Sequence, residues 1–149
     1  MTVAFREATG EDVFAIVALL ADDVLGQTRE QADMPVYLAA FARMDREGNN
    51  KQIVGVRDDI IVACYQLTII TGLSLTASTR AQLEGVRVAS DLRGQGIGAL
   101  LLEDAEARSA AAGAKMMQLT MNRTRHDSHR FYKSHGFEPS HVGFKKWLT

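Results

Sequence analysis

The sequence predicts an α/β (α+β) fold: one mixed central sheet with helices on both faces, in the order β-α-α-β-β-β-α-β-α-β-β across residues 1–149. Three stretches carry that expectation. Residues 82–89 are a β-type run that leads through a glycine-rich turn into a helix, and residues 115–121 then alternate as another strand. A helix joining two strands makes them parallel. Residues 60–71 are a nearly continuous apolar run rich in β-branched side chains, which marks a strand covered on both faces. Val13, Ile16, Val17 and Leu20 recur at the i, i+3, i+4, i+7 spacing of an amphipathic helix.

The elements follow in order. Residues 3–6 with Ala8 read as an edge strand. Thr9 or Gly10 caps the first helix, Glu11 and Asp12 suit its positive end, and it runs to about Ala21. Residues 22–35 are polar and mixed in sign, so they read as a loop with at most a short helical piece. Tyr37, Ala40, Phe41 and Met44 form a second stripe over about residues 36–46, and Gly48-Asn49-Asn50 ends it. Residues 51–57 and 60–71 form a hairpin across the tight turn Asp58-Asp59. Residues 72–79 are a loop of small and hydroxyl side chains, and residues 80–89 are the central strand. The central helix, residues 96–112, buries Ile97, Leu100, Leu101 and Ala105 and stops at Gly113. Met117, Leu119 and Met121 share one face of the next strand. Residues 125–135 read as a short helix ended by Gly136, and Phe137 with residues 142–148 supplies a last hairpin. No repeat, linker or low-complexity tract divides the chain, so a single domain is expected.

The totals narrow the function classes. Hydrophobic residues make up 46% and charged ones 23%, with net charge −1, so no global field points to nucleic acid or a membrane surface. Residues 115–149 hold seven Lys and Arg against Asp127 and Glu138. That local excess suits an anionic ligand or a solvated face equally. Cys64 is the sole cysteine, which rules out an internal disulfide and suits a reducing cytosol. Its apolar neighbours mark it as a buried thiol rather than a nucleophile. No apolar stretch approaches the ~18 residues of a membrane span, and the first twenty residues do not read as a secretion signal. The expectation is a cytoplasmic protein. His126, His129, His135 and His141 lie close in sequence, but a zinc site needs three or four converging ligands, so no metal is expected.

Gly94, Gly96 and Gly98 weaken a helix start by up to ~1 kcal/mol each. They also clear side chains from the backbone, so a ligand can approach the unpartnered N–H groups where a helix begins. Such a turn is an anion site, with phosphate its usual guest. A nucleoside-triphosphate loop requires Gly-x4-Gly-Lys-Ser/Thr, which is absent. A dinucleotide loop requires Gly-x-Gly-x-x-Gly, and here the spacing is Gly-x-Gly-x-Gly. Arg93-Gly94-Gln95-Gly96-Ile97-Gly98 instead resembles the Arg/Gln-x-x-Gly-x-Gly/Ala pattern of the GNAT N-acetyltransferase superfamily. Glu84-Gly85-Val86-Arg87-Val88 resembles that family's central strand, and Phe131-Tyr132-Lys133-Ser134-His135-Gly136-Phe137 its Phe-Tyr-x-x-Leu-Gly-Phe. The resemblance is strong over residues 82–137 and architectural before that. His135 departs from it where leucine is common. Arg125 departs from it seven residues before Tyr132, where asparagine often stands.

The resemblance implies acetyl-coenzyme A as co-substrate, with its pyrophosphate held by the turn Arg93, Gly94, Gln95, Gly96, Ile97, Gly98 and Ala99. It implies a pantetheine arm lying along Val86, Arg87 and Val88, with Gly85 as a bulge that opens the sheet. Asn122 or Arg125 would add a contact to the coenzyme. Acetyl transfer to an amine then needs a base, because an alkyl ammonium has a pKa near ~10. Glu84 is the candidate, and by alternation it shares a face with Val86 and Val88 unless a bulge at Gly85 shifts the parity. Tyr132 is the candidate acid for the leaving thiolate. The implied path is direct transfer in a ternary complex. The acceptor region is implied at residues 22–37 and 140–144, with Arg29 and Tyr37 as candidate contacts. A small-molecule amine is the first reading of the acceptor, and a protein N-terminus or lysine side chain is the second. A non-catalytic acyl-coenzyme A sensor is the reading from outside catalysis. The mixed charges and the lack of clustered aromatics argue against a nucleic-acid binder. The resemblance also allows a homodimer paired through the sheet edge or the last strands.

Overall fold

β3 (Ile60–Ile70) is the middle strand because its sequence lets both of its faces be buried. Ala63, Tyr65 and Leu67 face one cluster with Ile53, Ala81, Leu83, Ile97, Leu101 and Ala105, and Cys64 faces a second with Ile16, Leu19 and Val54. The computed structural model describes residues 2–22, 30 and 32–149. Around β3 stand β1 (Ala4–Glu7), β2 (Asn50–Arg57), β4 (Arg80–Val88) and β5 (Met116–Leu119). The sheet order is β1-β2-β3-β4-β5. The first three pairings are antiparallel and the last is parallel.

Among the described residues four helices cover this sheet: α1 (Val13–Ala21), α2 (Met34–Glu47), α3 (Ile97–Ala111) and α4 (His126–Ser134). α1 lies over the Cys64 side and α3 over the Tyr65 side, since their buried residues fall in those two clusters. The chain enters α1 through a 3-10 turn, Gly10–Asp12. Asp12 is buried there; it accepts from the Thr9 N–H at 2.7 Å and pairs with Arg6 at 2.7 and 3.0 Å. The Arg6 guanidinium is the main cause that holds the Asp12 carboxyl below the usual carboxylate range. On the other side Tyr65, fully buried, donates its hydroxyl to Asp104 at 2.6 Å. Arg108 Nε donates to the same carboxylate at 2.8 Å, and its Nη2 reaches the Phe5 carbonyl at 3.2 Å. This chain of polar contacts fastens α3 to β3 and β1.

The expected order holds through α4. The last hairpin does not form within the chain: residues 137–149 carry no strand. Val142, Phe144, Trp147 and Leu148 are 80–93% exposed. The loop after β3 contains a four-residue turn, Ser74–Ala77, in which Leu75, Thr76 and Ala77 all take positive φ. Among the described residues, no helix is long and apolar enough to cross a membrane.

Candidate active site

The site begins with a defect in β4. Cys64 on β3 pairs with Arg87, and Gln66 pairs with Glu84, so Tyr65 alone stands opposite both Gly85 and Val86. Two residues against one is a β-bulge. Gly85 carries it at φ +57, a left-handed conformation that favours glycine. The bulge reverses the alternation. Leu83 belongs to the core on the α3 side, and beyond the bulge Val86 and Val88 pack on that same core. Glu84 is exposed on the opposite face, in register with Gln66. Glu84 therefore does not share a face with Val86 and Val88, because Gly85 shifts the parity. Among the described residues no ion pair holds Glu84.

The second feature is a split in the sheet. β4 and β5 pair from Arg80–Met116 to Leu83–Leu119 and no further. β4 continues to Val88, while the chain after Leu119 turns away toward α4. The backbone edge of residues 84–88 on that side has no ladder partner on β5. The ladder between the two strands thus ends in an unpaired wedge at the bulge.

The third feature lies at the end of β4. A 3-10 turn, Ser90–Leu92, leads into the glycine turn and then α3. Gly94 and Gly96 have φ +78 and +85, and a Cβ on either would meet nothing within 4 Å. Leu100 N–H donates to the Gly96 carbonyl at 3.2 Å as the helical ladder starts. The N–H groups of residues 97–99 precede that ladder and point out of the helix start, as at any N-terminus. Gly98 has a different reason to be glycine. A Cβ there would stand 3.0 Å from Cζ of Phe131 on α4, so this position is small to let two helices pack. The Arg93 side chain turns back to the Asp22 carbonyl at 3.2 Å and the Val88 carbonyl at 3.4 Å. The Asp22 carboxylate accepts from the Ser90 N–H at 3.0 Å. Together these contacts pin the turn to the end of α1.

α4 packs on the α3-side core. Its Tyr132 packs on the same core as Val86 and Val88, with its ring edge-on to Phe131 at 5.2 Å and to Phe137 at 5.6 Å. Burial pushes the Tyr132 phenol up, and the charges of Arg87 and Arg125 act in the opposite sense. The net direction is upward, and a tyrosine with an ordinary value near ~10 is already protonated at neutral pH. His135 packs against Phe131 with the rings tilted and their centroids 4.5 Å apart, and its Nδ1 lies 2.8 Å from the Phe131 carbonyl. The imidazole thus serves as packing where the motif has leucine. Asn122 uses its side-chain oxygen to accept from the N–H and hydroxyl of Thr124, at 3.0 and 2.6 Å. Its carbonyl accepts from the Arg125 N–H, which starts α4.

The structure therefore packs Val86, Val88 and Tyr132 on one core, sets the charges of Arg87 and Arg125 near the Tyr132 phenol, and joins the glycine turn to α4 where Gly98 meets Phe131. It sets Glu84 on the other side of β4. Tyr37 is half-buried near the start of α2, and among the described residues no hydrogen bond or ring contact joins it to Glu84 or Tyr132. Arg29 lies outside the described residues. Among the described residues no three His, Cys, Asp or Glu side chains converge as metal ligands do. Sequence reasoning missed Tyr65, which stands opposite the bulge and anchors α3. Its signal, a lone tyrosine in an apolar strand, does not differ from that of any core aromatic.

Comparison with known proteins bears on this geometry. A model of the GNAT acetyltransferase family matches residues 15–137. The aminoalkylphosphonate N-acetyltransferase of Salmonella typhimurium is 30% identical over 143 residues, which span 96% of this chain and 90% of that protein. Among solved structures, a transcriptional regulator from Bacillus halodurans is 41% identical with a TM-score of 0.93, covering 98% of this chain and 99% of that one. A putative acetyltransferase from Agrobacterium tumefaciens is 25% identical with a TM-score of 0.86, covering 97% and 99%.

Proposed function

We propose a specific reaction for this chain, which belongs to the GNAT acetyltransferase family: transfer of the acetyl group of acetyl-coenzyme A to the primary amine of a small molecule, directly, in a ternary complex. The chain is an acetyltransferase by family; the co-substrate, acceptor and path are this reading. The observation that carries it is the end of the β4–β5 ladder at Leu83–Leu119, followed by a turn with two left-handed glycines at a helix start. A wedge edged by strand backbone suits an extended arm with amide groups. The turn beyond it suits a pyrophosphate. The residues fit, since Gly94 and Gly96 leave open space where a side chain would otherwise stand.

In this reading the N–H groups of residues 94–99 hold the pyrophosphate, and the backbone of Val86 and Val88 pairs with the pantetheine arm. Asn122 acts by shaping the turn that presents Arg125. A backbone N–H at the bulge stabilises the negative charge that develops on the thioester oxygen. Glu84, solvent-exposed beside the bulge, takes a proton from the acceptor ammonium through a water. The amine lone pair then forms the C–N bond as the C–S bond breaks. Tyr132, protonated and on the opposite side of β4, supplies a proton to the departing thiolate. In this reading the bulge separates base and acid, one to each face of β4.

A small-molecule amine is favoured because the 30% identical relative is named for one. Two guanidinium groups, Arg87 and Arg125, bear on Tyr132, which suits an acceptor with an anionic end, so aminoalkylphosphonates come first in an acceptor panel. The reading includes Tyr37 and Arg29 as acceptor contacts, a cytoplasmic protein, no nucleic-acid or membrane partner, no metal, a single domain and a homodimer.

The test is calorimetric titration with acetyl-coenzyme A beside a Gly96→Glu variant, followed by an amine panel read by release of free thiol. One-to-one binding lost in the variant, with thiol released for a small amine, is the expected result. Binding without thiol release across the panel would favour an acyl-coenzyme A sensor. No binding by folded wild type would overturn both.

A further inference from the structure

We propose that Gln66 is a specificity residue of the acceptor site: its side-chain oxygen accepts from the acceptor's ammonium beside Glu84, and Asn50 with Glu47 fixes which end of the Gln66 amide meets the substrate. This deepens the acetyl transfer proposed above and rests on it. Three observations lead there. The first is the polar face of the sheet. Ile53, Tyr65, Leu67, Ala81 and Leu83 face the α3 side, so the residues between them face the other way. On that second face α1 covers Val54 and Cys64 with Ile16 and Leu19. Farther along it the side chains turn polar. Asn50, Thr68, Gln82 and Gln118 form one row across four strands, and Gln66 with Glu84 lies in the next. All but Glu84 are uncharged and half-buried. A merely solvated face has no need of a single hydrogen-bond direction, and this one has it.

The second observation is that direction. Asn50 Nδ2 donates to the carboxylate of Glu47, the last residue of α2, at 2.8 Å. A carboxylate only accepts, so the Asn50 nitrogen lies on that side and its oxygen on the other. The Asn50 Oδ1 accepts from Gln66 Nε2 at 2.8 Å and from the Thr68 hydroxyl at 3.0 Å. Both of its lone pairs are then used. The Gln66 nitrogen is thereby committed to Asn50, and Oε1 is its remaining end. Among the described residues nothing donates to that oxygen, and it is not a buried orphan, so water reaches it. The neighbouring pair, Gln118 to Gln82 at 2.7 Å, has no carboxylate at its end, so its two amides can reverse together.

The third is the neighbour. Gln66 on β3 stands in register with Glu84 on β4, and residues so paired have Cβ atoms about 5 Å apart. Glu84 is exposed, and no ion pair among the described residues holds it. This rung therefore presents a carboxylate and an amide oxygen side by side, with the amide nitrogen turned away. The complement of two oxygen acceptors is a group rich in N–H, which an ammonium is. The two oxygens divide the work. Glu84 receives the proton through a water. The Gln66 oxygen is neutral and does not take a proton, so it keeps its N–H while the amine's lone pair is freed. Its contact is the same before and during transfer. Binding of that kind shows in KM and not in kcat.

The experiment is steady-state thiol release by the full chain, with aminoethylphosphonate or the fastest amine of the panel above as acceptor. Gln66→Met, close to glutamine in length and shape, should raise the acceptor KM about tenfold, the loss of one hydrogen bond to a charged group. Its kcat and its KM for acetyl-coenzyme A should stay near wild type, which also shows that the variant is folded. Asn50→Leu frees the Gln66 amide to turn over and should raise the acceptor KM severalfold. In the Gln66→Met background the same change should add nothing, because Asn50 acts through Gln66. Thr68→Val removes a hydrogen bond to the same Asn50 oxygen and leaves Gln66 in place, so its acceptor KM should match wild type. An unchanged acceptor KM in Gln66→Met would overturn the proposal and leave the reaction standing. An Asn50→Leu effect that persists without Gln66, or an equal effect of Thr68→Val, would overturn it too, since the row would then act through the fold. Wild type that binds acetyl-coenzyme A and releases no thiol with any amine would remove the reaction itself, and this proposal with it.

Discussion

Replacing Gly98 by alanine separates two roles that glycine plays in the same turn. At the second residue of α3, alanine is intrinsically better than glycine by about 1 kcal/mol. The new Cβ would, however, stand 3.0 Å from Cζ and 3.2 Å from Cε1 of Phe131. Relief requires Phe131 to give by a few tenths of an ångström, and its ring is bounded by Tyr132 at 5.2 Å and His135 at 4.5 Å. Overpacking of this kind costs about 1–3 kcal/mol. Taking about 2 kcal/mol and subtracting the helix gain leaves a net loss of about 1 kcal/mol, or ~2–4 °C in Tm for a chain of this size. The assay is urea unfolding of Gly98→Ala, Phe131→Leu and the double variant. The clash predicts coupling of about 1–2 kcal/mol between the sites. Gly96→Ala is the control: its φ of +85 costs about 1–2 kcal/mol whatever stands at Phe131. A Gly98→Ala protein more stable than wild type, with additive effects in the double variant, would refute the packing argument.

Three further predictions follow from the site and its supports. Tyr132→Phe should lower kcat by about 10- to 100-fold, toward the modest end of general acid catalysis. Acetyl-coenzyme A affinity by calorimetry should stay nearly unchanged, and equal turnover would remove Tyr132 from the mechanism. Glu84→Gln should move the pH–rate profile toward alkaline pH, as the amine must then lose its proton to solvent; an unmoved profile would place the base elsewhere. Asp12→Asn should cost about 2 kcal/mol at neutral pH through the loss of charged hydrogen bonds to Arg6 and Thr9. Because Arg6 lowers the folded-state pKa of Asp12, that stability is fully present above the unfolded value of ~3.9 and is lost as pH falls through the folded one. Stability curves of the two proteins should converge in acid, and a gap that persists there would mean the contribution is not ionic.

The legible parts of the sequence were those with local causes. The run 60–71 could be read as the middle strand because only burial on both faces explains so many apolar residues in sequence. Gly85 could be read as a bulge because a glycine inside a strand lacks other use. What the bulge does to Glu84 could not be fixed beforehand, since parity depends on which strand carries the extra residue. Gly98 was read with its neighbours as a ligand-facing glycine, because the ring that requires it is Phe131, 33 positions along the chain. Arg93 was read as part of the phosphate turn, and its guanidinium is spent on carbonyls of Asp22 and Val88. The positive φ at Leu75, Thr76 and Ala77 had no signal at all, as none of these residue types favours it. The alternation over residues 142–148 announced a strand but not a partner for it.

The position of Cys64 has a further consequence. Its sulfur lies behind the bulge, 3.7 Å from the Gly85 carbonyl, fully buried, with the thiol pushed up to about 12. In the proposed reaction each turnover liberates a free thiol one strand away. Exchange with a disulfide needs an accessible thiolate, and this sulfur provides neither access nor charge. A pool of oxidised coenzyme would therefore leave the enzyme unmodified. The disulfide of its thiol product exchanges only with an accessible thiolate, and burial withholds the one cysteine of the chain from that exchange.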